Sequence, residues 1–415
     1  MTHAGYGCRR LGEHMNLYLH IPFCAARCTY CDFNTYAGLS RHLGDYMQSL
    51  RAEIHAVAQA GRDHQHDRFK IDTLFIGGGT PSLVPLEEYR LLKSGLSESF
   101  HLKDGMEWSL EANPGTLSLS YLKGLRDLGV NRLSLGVQSA QQEELTLLGR
   151  IHTFPDARHA FHDARQAGFD NINLDLIYGL PGQPLSAWQE SLGKALELQP
   201  DHLSLYALSV ESGTPLHARV AGGGLPEPDD DLAADMYAWA ENILATSGYA
   251  HYEISNWARL QEDEPASTLT PQHVCRHNVH IWRNQFYLGF GAGAHGYAAN
   301  VRYNNVRHPL DYIAALRREK RGDSYPCSAA AVEALPVSPE QAMADSMILG
   351  LRLLQEGVSF QAFLEQHGKP FEELYASILA DYRNLDLLEV LDDRVRLTPR
   401  AHFIANQVMQ AFLPS

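Results

Sequence analysis

Tyr18-Leu19-His20-Ile21-Pro22-Phe23-Cys24-Ala25-Ala26-Arg27-Cys28-Thr29-Tyr30-Cys31 decides how the rest of the chain is read. The apolar run over 16–21 predicts a β-strand, and three thiols follow it on one loop at C-x3-C-x2-C spacing. Three thiolates on one loop can bind three irons of a cubane cluster and leave the fourth iron open. A closed structural zinc site would want a fourth ligand, which only His20 could supply nearby, and unpaired buried cysteines are the blandest alternative.

Outward from this loop, strand-like runs at 17–21, 73–76, 106–110, 132–135, 171–176 and 202–208 alternate with amphipathic stretches at 45–60, 85–96, 119–128, 155–167 and 186–198. Six such βα units predict an α/β fold with a parallel sheet or barrel, whose functional residues sit on the loops after the strands. Gly77-Gly78-Gly79-Thr80-Pro81-Ser82 occupies such a position. Its glycines would let a ligand approach the backbone and leave amides free to donate. The Gly-Lys-Ser/Thr ending of a nucleotide-binding P-loop is missing, and a tight turn without a ligand is the plainer reading.

The 415 residues carry 34 Lys plus Arg against 49 Asp plus Glu, a net charge of -15 that argues against general nucleic-acid binding. No uncharged apolar run approaches the roughly 18 residues of a membrane span, so no integral membrane segment is expected. The remaining cysteines, Cys8, Cys275 and Cys327, are scattered, which points to a reducing cytoplasm. Residues 1–14 read as a flexible leader with Met15 as the functional start, 15–323 as barrel with accessory region, and 324–338, with Pro326 and Pro336, as a linker. Residues 339–415 read as a mainly helical, winged-helix-like domain: one helix has Met343, Met347 and Leu351 on a face, and a hairpin turns at Asp392 and Asp393. Its 11 acidic and 6 basic side chains suit docking better than DNA.

The cysteine and glycine loops together resemble the radical S-adenosylmethionine enzymes. The segment 18–23 before Cys24, Glu111-Ala112-Asn113-Pro114, Gly136-Val137-Gln138-Ser139, Leu148-Gly149-Arg150 and Asp175-Leu176-Ile177-Tyr178-Gly179-Leu180-Pro181-Gly182 are similar to the oxygen-independent coproporphyrinogen III oxidase family, nearly end to end. That resemblance implies a partial (β/α)6 barrel in which Cys24, Cys28 and Cys31 ligate a [4Fe-4S] cluster and S-adenosylmethionine chelates the open iron. Gly78, Gly79 and Thr80 would line its methionyl end. Tyr18, Tyr30, Glu111, Gln138, Arg150 and Asp175 match positions that contact S-adenosylmethionine, some in a second site. A reducing electron donor and one-electron cleavage to a 5′-deoxyadenosyl radical are implied as well.

Two branches of that family differ in activity. The oxidases convert coproporphyrinogen III to protoporphyrinogen IX, whereas the other branch consists of haem chaperones. The oxidase pattern places a fourth cysteine where this chain has Phe33, and it carries a longer segment than the 23 residues found here before Cys24. His277-Asn278-Val279-His280-Ile281-Trp282 resembles the chaperone motif H-N-x-x-Y-W, with Ile281 replacing its tyrosine. The expectation is therefore a chaperone that binds haem and passes it to apo-haemoproteins, with the oxidase as alternative. His277 is the candidate axial haem ligand, with His280 and Cys275 as neighbours that could serve. The segments 252–257 and 287–295 also match the family and receive no role.

Overall fold

The computed structural model describes residues 14–65, 68–318 and 325–414. Six parallel strands lie side by side in chain order: β1 (His14–Ile21), β2 (Lys70–Gly78), β3 (His101–Ala112), β4 (Arg132–Gln138), β5 (Ile172–Tyr178) and β6 (His202–Ala207). Between them run the crossover helices α1 (Leu43–Gln65), α2 (Leu86–Ser99), α3 (Leu119–Leu128), α4 (Phe154–Gln166) and α5 (Leu185–Glu197). Helix ends follow local chemistry. Ser118 caps α3 through the Tyr121 amide and Gly129, at φ +107°, ends it in the left-handed conformation. Thr153 and Asp156 form a reciprocal capping box that starts α4.

Alternation along each strand separates two environments. Met15, Leu17, Leu19 and Ile21 are fully buried and share an apolar cluster with Leu50 and Ile54 of α1. Each such side chain contributes about 1.5–3 kcal/mol by burial. Their neighbours Asn16, Tyr18 and His20 point the other way, and so do Arg132, Ser134, Asn173 and Asp175 on β4 and β5. The barrel interior is therefore polar and knitted by side chains: Thr73 donates to Asn16 at 2.8 Å, and Asn173 donates to Ser134 at 2.7 Å.

The barrel does not close on itself. After α6 (Asp230–Thr246), β7 (Tyr249–Glu253) and β8 (Asn256–Arg259) extend the sheet antiparallel beyond β6. A short helix α7 (Arg276–Trp282) leads to β9 (Tyr287–Phe290), which pairs parallel with the free side of β1. Then β10 (His295–Ala298), β11 (Val301–Asn305), α8 (Pro309–Arg317) and β12 (Ala331–Pro336) complete a 12-stranded sheet. Among the described residues no helix is long and apolar enough to cross a membrane.

Two sequence expectations are corrected here. The segment expected as a linker contains β12, an edge strand that pairs antiparallel with β11 and ends on Pro336, where an edge tolerates the missing amide. The expected leader lies outside the described residues except for His14, which belongs to β1 and lies 2.9 Å from Asp72. The boundary expected at 323/324 also lies outside them.

The C-terminal region has its own apolar core, including Met347, Phe371, Val395 and Val408. It consists of α9 (Pro339–Gly350), α10 (Phe360–His367), α11 (Ala376–Asn384) and α12 (Ala405–Gln410) beside a small sheet of β13 (Val358–Ser359), β14 (Leu388–Val390) and β15 (Arg394–Leu397). Ion pairs Arg302–Asp345 and Arg283–Glu356, both at 2.7 Å, fasten it to the barrel.

One buried carboxylate organises the β1–β9 side. Glu53 of α1 accepts from the Tyr312 hydroxyl at 2.6 Å, Ser328 and Asn305 at 2.7 Å, and the Gly291 amide at 2.8 Å. Burial pushes its pKa up while these donors oppose the shift. Glu53→Ala strands four buried donors at once. A loss of about 3 kcal/mol or more in urea unfolding is expected, whereas a loss below about 1 kcal/mol would contradict this role.

Candidate cofactor-binding site

The three thiols sit where β1 delivers the chain to the mouth of the barrel. Phe23 and Cys24 pair with Tyr36 and Ala37, and the Thr29 amide donates to Leu148 O at 3.0 Å, so the loop is pinned on both sides. Cys24, Cys28 and Cys31 are free, half-buried and border one cavity of about 500 Å³. Each sulfur has a polar neighbour: Thr80 Oγ1 donates to Cys24 Sγ at 3.6 Å, Arg150 donates to Cys28 Sγ at 3.4 Å, and Thr35 Oγ1 lies 3.6 Å from Cys31 Sγ. Burial pushes the Cys24 thiol up, Thr80 opposes this, and the other two thiols add to it.

The zinc reading does not fit this arrangement. Among the described residues the three thiols do not converge on a single-ion site. His20 cannot complete one, because its Nδ1 meets the Tyr18 hydroxyl and its Nε2 meets Asn34 O, both at 2.9 Å. Three sulfurs that border one cavity but are too far apart for a single ion fit a cluster with one open iron.

The glycine loop works differently from the expectation. Its amides are not free: Gly78 N donates to Glu111 at 2.9 Å, and Gly79 N and Thr80 N donate to Ile21 O and Phe23 O at 2.8 Å. What the glycines provide is proximity. A Cβ on Gly79 would stand 2.6 Å from Phe23 O and 3.0 Å from Cys24 Sγ, and Gly78 adopts φ +117°. The loop is thus the rigid back wall of the thiol loop.

The cavity collects most of the predicted residues. Tyr30, Gly78, Gly79, Thr80, Glu111 and Gln138 border it, as do Arg150 and Asp175. Its volume lies in the roughly 300–1,000 Å³ range of small-molecule sites. Asp175 accepts from Ser134 at 3.0 Å and Asn173 at 2.8 Å. Burial, then the charge of Asp175, raises the Glu111 pKa to about 7. Gln138 holds a left-handed φ of 71°, and its Oε1, like Arg150 Nε, is buried without a hydrogen-bond partner among the described residues. Orphaned polar atoms bordering a cavity fit a polar ligand such as S-adenosylmethionine.

Tyr18 is placed elsewhere. It borders a second cavity of about 700 Å³ with His20, Ile281, Tyr287, His295 and Arg307, while Gly78, Glu111 and Phe33 touch both cavities. Tyr287 and His295 lie in a stretch whose sequence matched the family without suggesting a role, so only their position in the fold reveals them. His277 borders neither cavity. It is 1% exposed, bonds Thr73 through Nδ1 at 2.8 Å, and lies against Phe75 with ring centroids 5.3 Å apart. Burial lowers its pKa to about 3, and its Nε2 is unpartnered among the described residues. A neutral ring with a free nitrogen has the chemistry of an iron ligand. Neither His280 nor Cys275 borders the two cavities either.

Cys28→Ala is expected to abolish the iron–sulfur absorption of anaerobically reconstituted protein; full iron and sulfide in that variant would contradict the assignment. The raised Glu111 pKa sets a sign for pH as well. Its stabilising contribution is complete below about 4.5, the unfolded value, and is lost as pH rises through about 7. Glu111→Gln should therefore flatten the fall in unfolding free energy over this window, and an unchanged slope would contradict it.

Residues 18–195 match the Radical SAM superfamily and residues 337–404 the HemN C-terminal domain. The chain is 36% identical over 401 residues to the heme chaperone HemW of Bacillus subtilis (strain 168), covering 95% of this chain and 98% of that one. With HemW of Mycobacterium tuberculosis (strain ATCC 25618 / H37Rv) it shares 36% over 406 residues, covering 97% and 95%. Its fold matches the Escherichia coli coproporphyrinogen III oxidase HemN, a radical SAM enzyme, with a TM-score of 0.79, 24% identity, and coverage of 97% of this chain and 91% of that chain. With near-complete coverage at this identity, the chain belongs to the HemW family within the radical SAM superfamily.

Proposed function

We propose that this protein is a haem chaperone: it binds haem and hands it to apo-haemoproteins in the cytoplasm while holding a [4Fe-4S] cluster and S-adenosylmethionine. The single observation that carries this reading is the end-to-end similarity to HemW chaperones, 36% over 98% of the Bacillus subtilis protein. Phe33 supports it over the oxidase alternative. Where the oxidase pattern has a thiol, this chain places an apolar ring, 63% exposed, between the two cavities.

In this reading Cys24, Cys28 and Cys31 ligate the cluster, which supplies one-electron reducing chemistry when charged by a donor protein. Arg150 and Thr80 then donate to the thiolates and tune them. The polar cavity holds S-adenosylmethionine, with Glu111 and Asp175 as acceptors for amine and hydroxyl groups and the polar side chains of Gln138 and Arg150 lining it. Tyr30 closes one side, and Gly78, Gly79 and Thr80 back the methionyl end.

Haem is assigned to the more apolar second cavity, which Tyr18 and Ile281 border. His277, which packs against the Phe75 and Tyr18 rings, would be the residue that holds its iron, through the unpartnered Nε2. His277→Ala is expected to weaken haem binding and shift the Soret band with cluster content unchanged, and Phe75→Ala to speed haem uptake. An unaltered Soret band in the His277 variant would remove this ligand.

A further inference from the structure

Where the C-terminal region meets the last strands of the sheet, three side chains from distant parts of the chain converge. Glu241 comes from α6, His251 from β7, and His402 from the turn after β15. One ligand atom from each lies within 4.8 Å of the others. His251 Nδ1 is 3.1 Å and His402 Nδ1 2.8 Å from the same oxygen, Glu241 Oε1.

A conflict of donors marks this cluster as more than a polar knot. His251 Nε2 lies 3.2 Å from Ile254 O and 3.4 Å from the Tyr237 hydroxyl oxygen, whose proton goes to Ile254 O at 3.0 Å, so a carboxylate faces one nitrogen of the ring and a carbonyl the other. Both are acceptors, and a neutral imidazole has a single N–H to offer. Stacking on Trp257 at 4.0 Å and 9° holds the plane of the ring. Burial works against charging it. A cation between the Nδ1 atoms and the carboxylate resolves the conflict, since Nδ1 gives it a lone pair while Nε2–H donates to Ile254 O. Ligating histidines are oriented in this way by a carbonyl on their far nitrogen.

The spacing and the ligand set agree. Tetrahedral ligands at about 2.0–2.1 Å from zinc stand about 3.3 Å from one another, close to the 2.8 and 3.1 Å contacts here. Two imidazoles and a carboxylate are nitrogen and oxygen donors suited to Zn²⁺, and the partial exposure of Glu241 leaves room for a water as fourth ligand. We infer that Glu241, His251 and His402 form a divalent-metal site of zinc type, independent of the cysteine loop, that clasps the C-terminal region to the barrel.

The test uses the full-length, cluster-loaded protein under anaerobic conditions, so that the thiols are occupied. It is equilibrated with Zn²⁺ and desalted, and zinc is measured by mass spectrometry and by zinc K-edge absorption. One zinc per chain is expected, with a nitrogen/oxygen shell at about 2.0–2.1 Å and a rise in melting temperature. Glu241→Gln and His402→Gln should lose both the zinc and the thermal gain while keeping their iron content. No retained zinc, a sulfur shell at about 2.3 Å, or undiminished zinc in both variants would overturn the inference.

Discussion

Everything at the mouth of this barrel depends on how closely two backbone segments approach one another. The thiol loop leaves β1 and is held by amides of the loop that leaves β2, through Gly79 N to Ile21 O and Thr80 N to Phe23 O. That contact exists only because Gly79 has no Cβ; a side chain there would collide with Phe23 O and crowd Cys24 Sγ. The far side of the thiol loop is closed by the Leu148–Gly149–Arg150 turn. Gly149, at φ +72°, lets this turn press on Thr29, and Arg150 reaches from it to Cys28. Three flexible thiols thus become one preorganised face, at the cost of confining glycine to fixed positions in both loops.

Behind that face, the strand pleat makes the interior of the barrel polar. Apolar residues on the helix side supply the burial that holds the sheet together. Interior residues such as Ser134, Asn173 and His202 satisfy one another in part, while among the described residues Gln138 and Arg150 retain buried atoms without partners. In a site of low dielectric such atoms are costly unless a ligand completes them. The same desolvation raises Glu111 and Asp175 together, so the cavity favours a cationic ligand group that restores both carboxylates.

The six parallel strands and their helices were legible because both carry strong periodicity, and the cysteine loop was legible from spacing alone. The antiparallel extensions were not. Strand β12 exposes most of its side chains, so its identity comes from pairing with β11 rather than from any pattern of its own. The roles of Gln138 and Arg150 could be reached only through family resemblance, since nothing local in their sequence points to a cavity. The glycine loop has no free amides at Gly78, Gly79 and Thr80, and one segment of sequence cannot show this because the partners lie on other strands and loops. The burial of His277 was hidden for the same reason: Thr73, Phe75 and Glu107, which enclose it, lie about 170–204 positions away.

The central claim, that this radical SAM barrel carries haem rather than transforms a porphyrinogen, is tested most directly by one anaerobic comparison. Protein with verified cluster and bound S-adenosylmethionine is given coproporphyrinogen III and a reductant in one sample, and haem followed by an apo-haemoprotein in another. Haem transfer without porphyrinogen turnover is the predicted result. Repeated formation of protoporphyrinogen IX, with haem left unbound, would contradict it and make the protein an oxidase despite Phe33.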